Sequence, residues 1–148
     1  MANNLGIYRC SACGYSLEVI EMGKEQLVCG GSSYALTCLK ADAQIQCCGK
    51  SMELLIPNTV EASVEKHLPV AEFIDNGKLL VKVGSTAHPM TQELTIQWIA
   101  IVHGDRVQRV NLEEAKAAEA VFYVGDADEV DLYAFCNLHG FWQAHVKR

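Results

Sequence analysis

From His67 onward the chain alternates short apolar runs with turn-forming residues. "LPVAEFI" is followed by "DNG" and "KLLVKVG", and "LTIQWIAIV", "HGD" and "RVQRVNL" come after. Runs of this length, rich in β-branched side chains, predict strands, while Asn76-Gly77 and Gly104-Asp105 predict hairpin turns. Strict alternation along the third run puts Leu94, Ile96 and Trp98 on one face and Glu93 on the other. "LEEAKAAEA", from Leu112 to Ala120, has a helix-like pattern that reads equally well as a loop or a single turn. Several antiparallel strands in roughly 90 residues point to a β-sandwich.

The pattern before His67 is different. Between Tyr8 and Glu53 only "LEVI" and "EQLV" look strand-like, set among Cys, Gly and Ser. So little apolar area does not make an independent core, so a metal cross-link is expected to supply the missing stability. "LIPNTVEASVE", Leu55 to Glu65, reads as the connection between the two parts. The expected organisation is a small metal-binding domain over 1–55 and a sandwich domain over 56–148.

Composition narrows the function classes. The chain has 148 residues, half of them apolar, enough for one moderate core and a satellite. The longest apolar runs, such as "WIAIV", are far shorter than the roughly 20 residues that span a bilayer. "MANNLGIYRC" has no apolar leader stretch, so a soluble, cytoplasmic protein is expected, without a membrane partner. Net charge is −6, about −1 up to Ile56 and −5 after it, with no basic stripe. Nucleic acid is therefore excluded as an expected partner. Six of the seven cysteines fall in the first 48 residues, which favours metal ligation over disulfides.

"YRCSACG" sets Cys10 and Cys13 at the spacing by which two thiolates reach one ion from a tight turn. A second pair must come from Cys29, Cys38, Cys47 and Cys48, and four thiolates suit iron or zinc. Cys38 reads best as an ordinary free thiol. A second group is scattered: His67 in "VEKHLPV", His88 in "AHPM", and Cys136 with His139 in "FCNLHGFW". Singly, each histidine is more often a surface or hydrogen-bonded residue than a ligand. Together they offer three imidazoles and one thiolate, a candidate second metal site.

At these motifs the sequence resembles the desulfoferrodoxin and superoxide reductase family, which includes the neelaredoxins. "YRCSACG" and "CCGKSM" resemble the halves of a desulforedoxin-type iron site, and "VEKHLPV", "LLVKVGSTAHPM", "QWI" and "CNLHGFW" follow the catalytic domain in order. The resemblance implies a mostly β protein, with a small desulforedoxin-like metal domain followed by an immunoglobulin-like β-sandwich. It implies iron at a centre of Cys10, Cys13, Cys47 and Cys48, with Cys29 as the alternative third ligand. It implies a second iron held by His67, His88 and His139 with Cys136 as axial ligand, and Glu65 and Lys66 as the catalytic pair beside the open position. Zinc is the alternative ion at either site. The implied reaction is one-electron reduction of superoxide to hydrogen peroxide, fed by a rubredoxin-like electron donor, in a homodimer.

Two departures qualify the likeness. The family's fourth equatorial histidine falls six residues after that of "HPM", and Leu94 stands there. Glu93 would need a bulge to reach the metal, and His103 and His145 belong to remote segments. Three outcomes follow: an iron with three histidines, one cysteine and solvent; a redox-inert tetrahedral zinc; or a retained scaffold, leaving a non-enzymatic electron-transfer or interaction protein. The second departure is an insertion at about 30–46 before "CCGKSM", with Cys29 and Cys38 as a hypothetical redox pair. Free-thiol counting after mild oxidation that found no loss of two thiols would remove that pairing.

Overall fold

The structure, a computed structural model, describes residues 5–20, 36–37, 45–114 and 116–148. Cys29, Cys38 and most of the insertion lie outside the described residues. The chain divides into two compact units, Asn3–Leu55 and Ile56–Arg148.

In the first unit the strands are short: β1 (Gly6–Arg9), β2 (Ser16–Val19), β3 (Leu36–Thr37), β4 (Gln46–Cys47), β5 (Lys50–Ser51) and β6 (Glu53–Leu54). They form two antiparallel ladders, β2-β1-β6 and β3-β4-β5. Cys10, Cys47 and Met52 make a buried cluster, with Tyr8, Leu17 and Ile45 packed around it. All three buried members of this cluster are thiols or a thioether and their apolar neighbours are only partly buried, so hydrocarbon burial in it contributes little, and cross-linking by an ion is the expected complement.

The second unit begins with a single helical turn, α1 (Val64–His67), and continues through β7 (Pro69–Ile74), β8 (Lys78–Val83), β9 (Ile96–His103), β10 (Arg106–Asn111), β11 (Glu119–Tyr123), β12 (Glu129–Cys136) and β13 (Gly140–Lys147). Two antiparallel sheets result, ordered β10-β9-β12-β13 and β11-β8-β7. Alternate residues meet between them: Leu79, Val81, Val83 and Phe122 on one side, Ile99, Ile101, Leu132 and Ala134 on the other. This is the face-to-face packing of a sandwich. The β9–β10 hairpin closes through Gly104-Asp105, with His103 opposite Arg106. Asn76 and Gly77, both at positive φ, turn the chain from β7 to β8.

One open reading is resolved, one element is added and one expectation is corrected. The Leu112–Ala120 piece, which read equally as a loop or a single turn, has no helix among its described residues: a turn leads into β11 at Glu119, and Ala118 and Ala120 are buried in the core. Helix propensity is a weak prior, and small side chains that fit between the sheets outweigh it. The helical turn at Val64–His67 was not anticipated. Strict alternation fails where the third run begins. Phe135 pairs with Trp98 but Cys136 with Ile96, so Gln97 is an extra, bulged residue. Ile96 consequently joins the core with Ile99 and Ile101, while Trp98 turns to the other face and stacks on Phe135 at 5.9 Å. Leu94 precedes the strand, in a turn where Thr91 N–H donates to the Leu94 carbonyl (2.9 Å) and Leu94 N–H to Thr91 Oγ1 (3.1 Å).

Candidate metal centres

Three separate segments carry His67, His88, Cys136 and His139 of the second unit to one place. His67 ends α1, which sits directly on Gly84: a Cβ there would lie 2.5 Å from the Glu65 carbonyl oxygen and 3.0 Å from that of Leu68. The turn after Gly84 holds the same segment, with Thr86 N–H donating to the Glu65 carbonyl (2.9 Å). His88 follows, its own N–H donating to Val83 (3.1 Å). Cys136 closes β12, and His139 lies in the three-residue turn before Gly140, which takes a positive φ. Asn137 anchors that turn: its Oδ1 accepts from Thr95 N–H and its Nδ2 donates to the Glu93 carbonyl, each at 3.0 Å.

The donor atoms of His67, His88, Cys136 and His139 all lie within 4.8 Å of one another. His67 Nε2 is 3.0 Å from His139 Nδ1 and 3.2 Å from His88 Nε2, and Cys136 Sγ is 3.5 Å from His88 Nε2 and 3.8 Å from His139 Nδ1. Ligand atoms about 2.0–2.3 Å from one ion have separations of this order. On the far side of each ring, His67 Nδ1 donates to the Ser63 carbonyl (2.7 Å) and His88 Nδ1 to the Pro89 carbonyl (2.6 Å). A carbonyl only accepts, so both Nδ1 atoms carry hydrogen and both Nε2 atoms present lone pairs. Two lone pairs facing each other at 3.2 Å in a buried site need a cation between them. Burial pushes the pKa of His67 and of His88 down, which favours the neutral, ligating imidazoles. Trp142 stacks on His67 at 5.2 Å and donates its indole N–H to the His139 carbonyl (3.0 Å).

In the first unit the Sγ atoms of Cys10, Cys13, Cys47 and Cys48 likewise lie within 4.8 Å of one another. The Cys13–Cys47 and Cys47–Cys48 sulfur separations are 3.6 and 3.9 Å. A tetrahedron with metal–sulfur bonds of about 2.3 Å has edges near 3.8 Å. Positive φ at Gly14, Cys48 and Gly49 lets each pair turn both thiols inward. Hydrogen bonding from the Cys13 backbone brings the Cys10 thiol down to about 7, and burial pushes that of Cys47 up to about 12. Loading an ion therefore requires removing a proton from a reluctant thiol.

Other residues singled out from sequence stand elsewhere. Glu65 and Lys66 are exposed, immediately before His67. Glu93 is exposed and takes part through its carbonyl. Leu94 is half-buried against the core cluster that contains Cys136. His103 lies beside Gln108 at the far end of β9, and His145 between Asp131 and Glu129. Sequence reasoning overlooked Asn137, Trp142 and the carbonyls of Ser63 and Pro89. Asn137 and Trp142 lay inside a motif already quoted; the carbonyls left no side-chain signal.

The sequence model of the Desulfoferrodoxin family matches residues 59–145, and that of the Desulfoferrodoxin N-terminal domain matches residues 2–36. The chain belongs to the desulfoferrodoxin family. A desulfoferrodoxin of Desulfarculus baarsii is 38% identical over 144 residues, covering 97% of this chain and 98% of that protein. A desulfoferrodoxin homolog of Archaeoglobus fulgidus is 36% identical over 97% of this chain and 99% of its own length. Among solved structures, the superoxide reductase from Treponema pallidum superposes with a TM-score of 0.64 at 30% identity, over 96% of this chain and 99% of its own.

Desulfoferrodoxins bind iron at a four-cysteine centre and at a histidine–cysteine centre, and this chain has a candidate ligand group for each. The N-terminal match ends before Cys47, so the second cysteine pair lies beyond that stretch of likeness, and the sulfur separations are what group it with Cys10 and Cys13. Among the described residues no helix is long and apolar enough to cross a membrane.

Proposed function

We propose that the chain is a superoxide reductase, adding one electron and two protons to superoxide to form hydrogen peroxide. The observation that carries this reading is the meeting of three imidazoles and one thiolate from three segments, with Glu65 and Lys66 directly before one of them. Iron bound to His67, His88, His139 and Cys136 would supply the electron. Lys66 attracts the superoxide anion at short range, against the acidic balance of the unit. The Ser63 and Pro89 carbonyls fix the Nδ1–H tautomer of His67 and His88 and aim both rings inward, while burial keeps them neutral. Cys136 gives an electron-rich thiolate, Glu65 stands beside the entrance, and water supplies the protons. The four-cysteine iron and a rubredoxin-like donor handle electron supply, in a cytoplasmic homodimer.

The test uses the full chain loaded with iron without oxygen and exposed to pulses of superoxide. One peroxide formed per superoxide consumed, without the oxygen yield of dismutation, supports the reading. Lys66→Gln should slow consumption roughly tenfold and flatten its salt dependence while iron is retained. A loaded chain that leaves superoxide to its spontaneous decay refutes the proposal and leaves a metal-stabilised electron-transfer or interaction protein.

A further inference from the structure

We infer that the histidine–cysteine centre of this chain takes a small monoanion from solution at a coordination position beside Leu94, in addition to the position served by Lys66. The inference rests on the iron reading above. Only four donors meet among the described histidine, cysteine, aspartate and glutamate residues. Unlike a tetrahedral four-thiolate centre, a non-haem iron held mainly by histidines keeps positions open to outside ligands, so more than one position falls to non-protein ligands.

The Glu93 carboxylate does not join the four donors, and the backbone and thioether groups near Leu94 are committed. The Glu93 carbonyl accepts from Asn137 Nδ2, and Thr95 N–H donates to Asn137 Oδ1. Thr91 satisfies both the N–H and the carbonyl of Leu94. The one nearby thioether, Met90 Sδ, accepts from Thr95 Oγ1 and from Ile96 N–H, each at 3.3 Å. Asn137 belongs to the turn that carries Cys136 and His139, so this segment is fixed beside the centre and does not swing a replacement ligand into place. What Leu94 offers is an apolar, half-buried wall. A compact, weakly hydrated anion suits such a wall beside a cation better than a bulky or strongly hydrated one.

Azide is the probe. The full chain is loaded with iron, oxidised and titrated, with the thiolate-to-iron absorption and electron paramagnetic resonance as readouts. Four thiolates complete the other centre, so changes report the histidine–cysteine iron. Wild type should bind azide in two successive steps, Leu94→His in one, and Leu94→Ala in two. A single step in wild type, or two steps in Leu94→His, overturns the inference while leaving the reductase reading intact. Iron content unchanged when His67, His88 and His139 are all replaced by alanine would mean that this centre holds no iron, and would overturn the reductase reading itself. Leu94→Ala guards against misfolding of the histidine variant, since a single step in that variant too contradicts the proposal.

Discussion

Replacing Gly84 by alanine isolates one packing constraint on the candidate centre. An added Cβ would lie 2.5 Å from the Glu65 carbonyl oxygen, and 3.0 Å from both the Leu68 carbonyl oxygen and the Lys66 carbonyl carbon, where ordinary contact starts at 3.4 Å. All three neighbours are backbone, so no rotamer change relieves the overlap and the Glu65–Leu68 segment must move. Overpacking of this kind costs about 3 kcal/mol, which for a unit of this size lowers Tm by roughly 12–24 °C. His67 lies within the displaced segment, so iron affinity should fall as well. Both tryptophans, Trp98 and Trp142, lie in the second unit, so selectively excited tryptophan fluorescence during urea unfolding reads that unit alone. Gly104→Ala is the control. Its Cβ meets nothing within 4 Å, so only the positive φ is penalised, at about 1 kcal/mol. A loss below about 0.5 kcal/mol in Gly84→Ala, with iron affinity unchanged, would refute the claim that the glycine seats α1.

Asn137→Ala removes two hydrogen bonds to backbone and should cost about 2 kcal/mol in the same unfolding assay, with faster iron loss to a chelator. A stable variant with normal iron retention would deny Asn137 its anchoring role. His145 lies 2.8 Å from Asp131 and 3.3 Å from Glu129, and its hydrogen bond to Asp131 raises its pKa. The stabilisation is therefore complete below the ordinary value near 6.5 and disappears as pH rises through the folded value. His145→Gln should destabilise the second unit in acid and match wild type in alkali, and a constant difference across pH would contradict this. Stripping the metal from the four-cysteine cluster should collapse amide-exchange protection over Gly6–Val19 and leave the fluorescence-detected unfolding of the second unit in place. Persisting protection would mean that the first unit's small core suffices without an ion.

Strands and turns are local matters, so most of the sandwich was legible in the chain. The alternation in "KLLVKVG" and the turn residues of Gly104-Asp105 depend on neighbours in sequence. The donor residues were legible only through likeness to a family's motifs, because no spacing reveals that His67, His88 and Cys136 meet. Tertiary structure decided the rest. The bulge at Gln97 separates Ile96 from Trp98 because Cys136 and Phe135 pair out of step with β9, which is a property of the partner strand. Ala118 and Ala120 take bend and strand rather than helix because they fit against Val83 and its neighbours, which outweighs an intrinsic preference worth a fraction of a kcal/mol per residue. The tautomers of His67 and His88 rest on carbonyl groups that every residue possesses, so no side-chain pattern encodes them. Sequence by itself determined which chemistries were present and where the chain turns. Which donors share one ion, and which nitrogen of each ring faces it, follows from long-range pairing that only the folded chain contains.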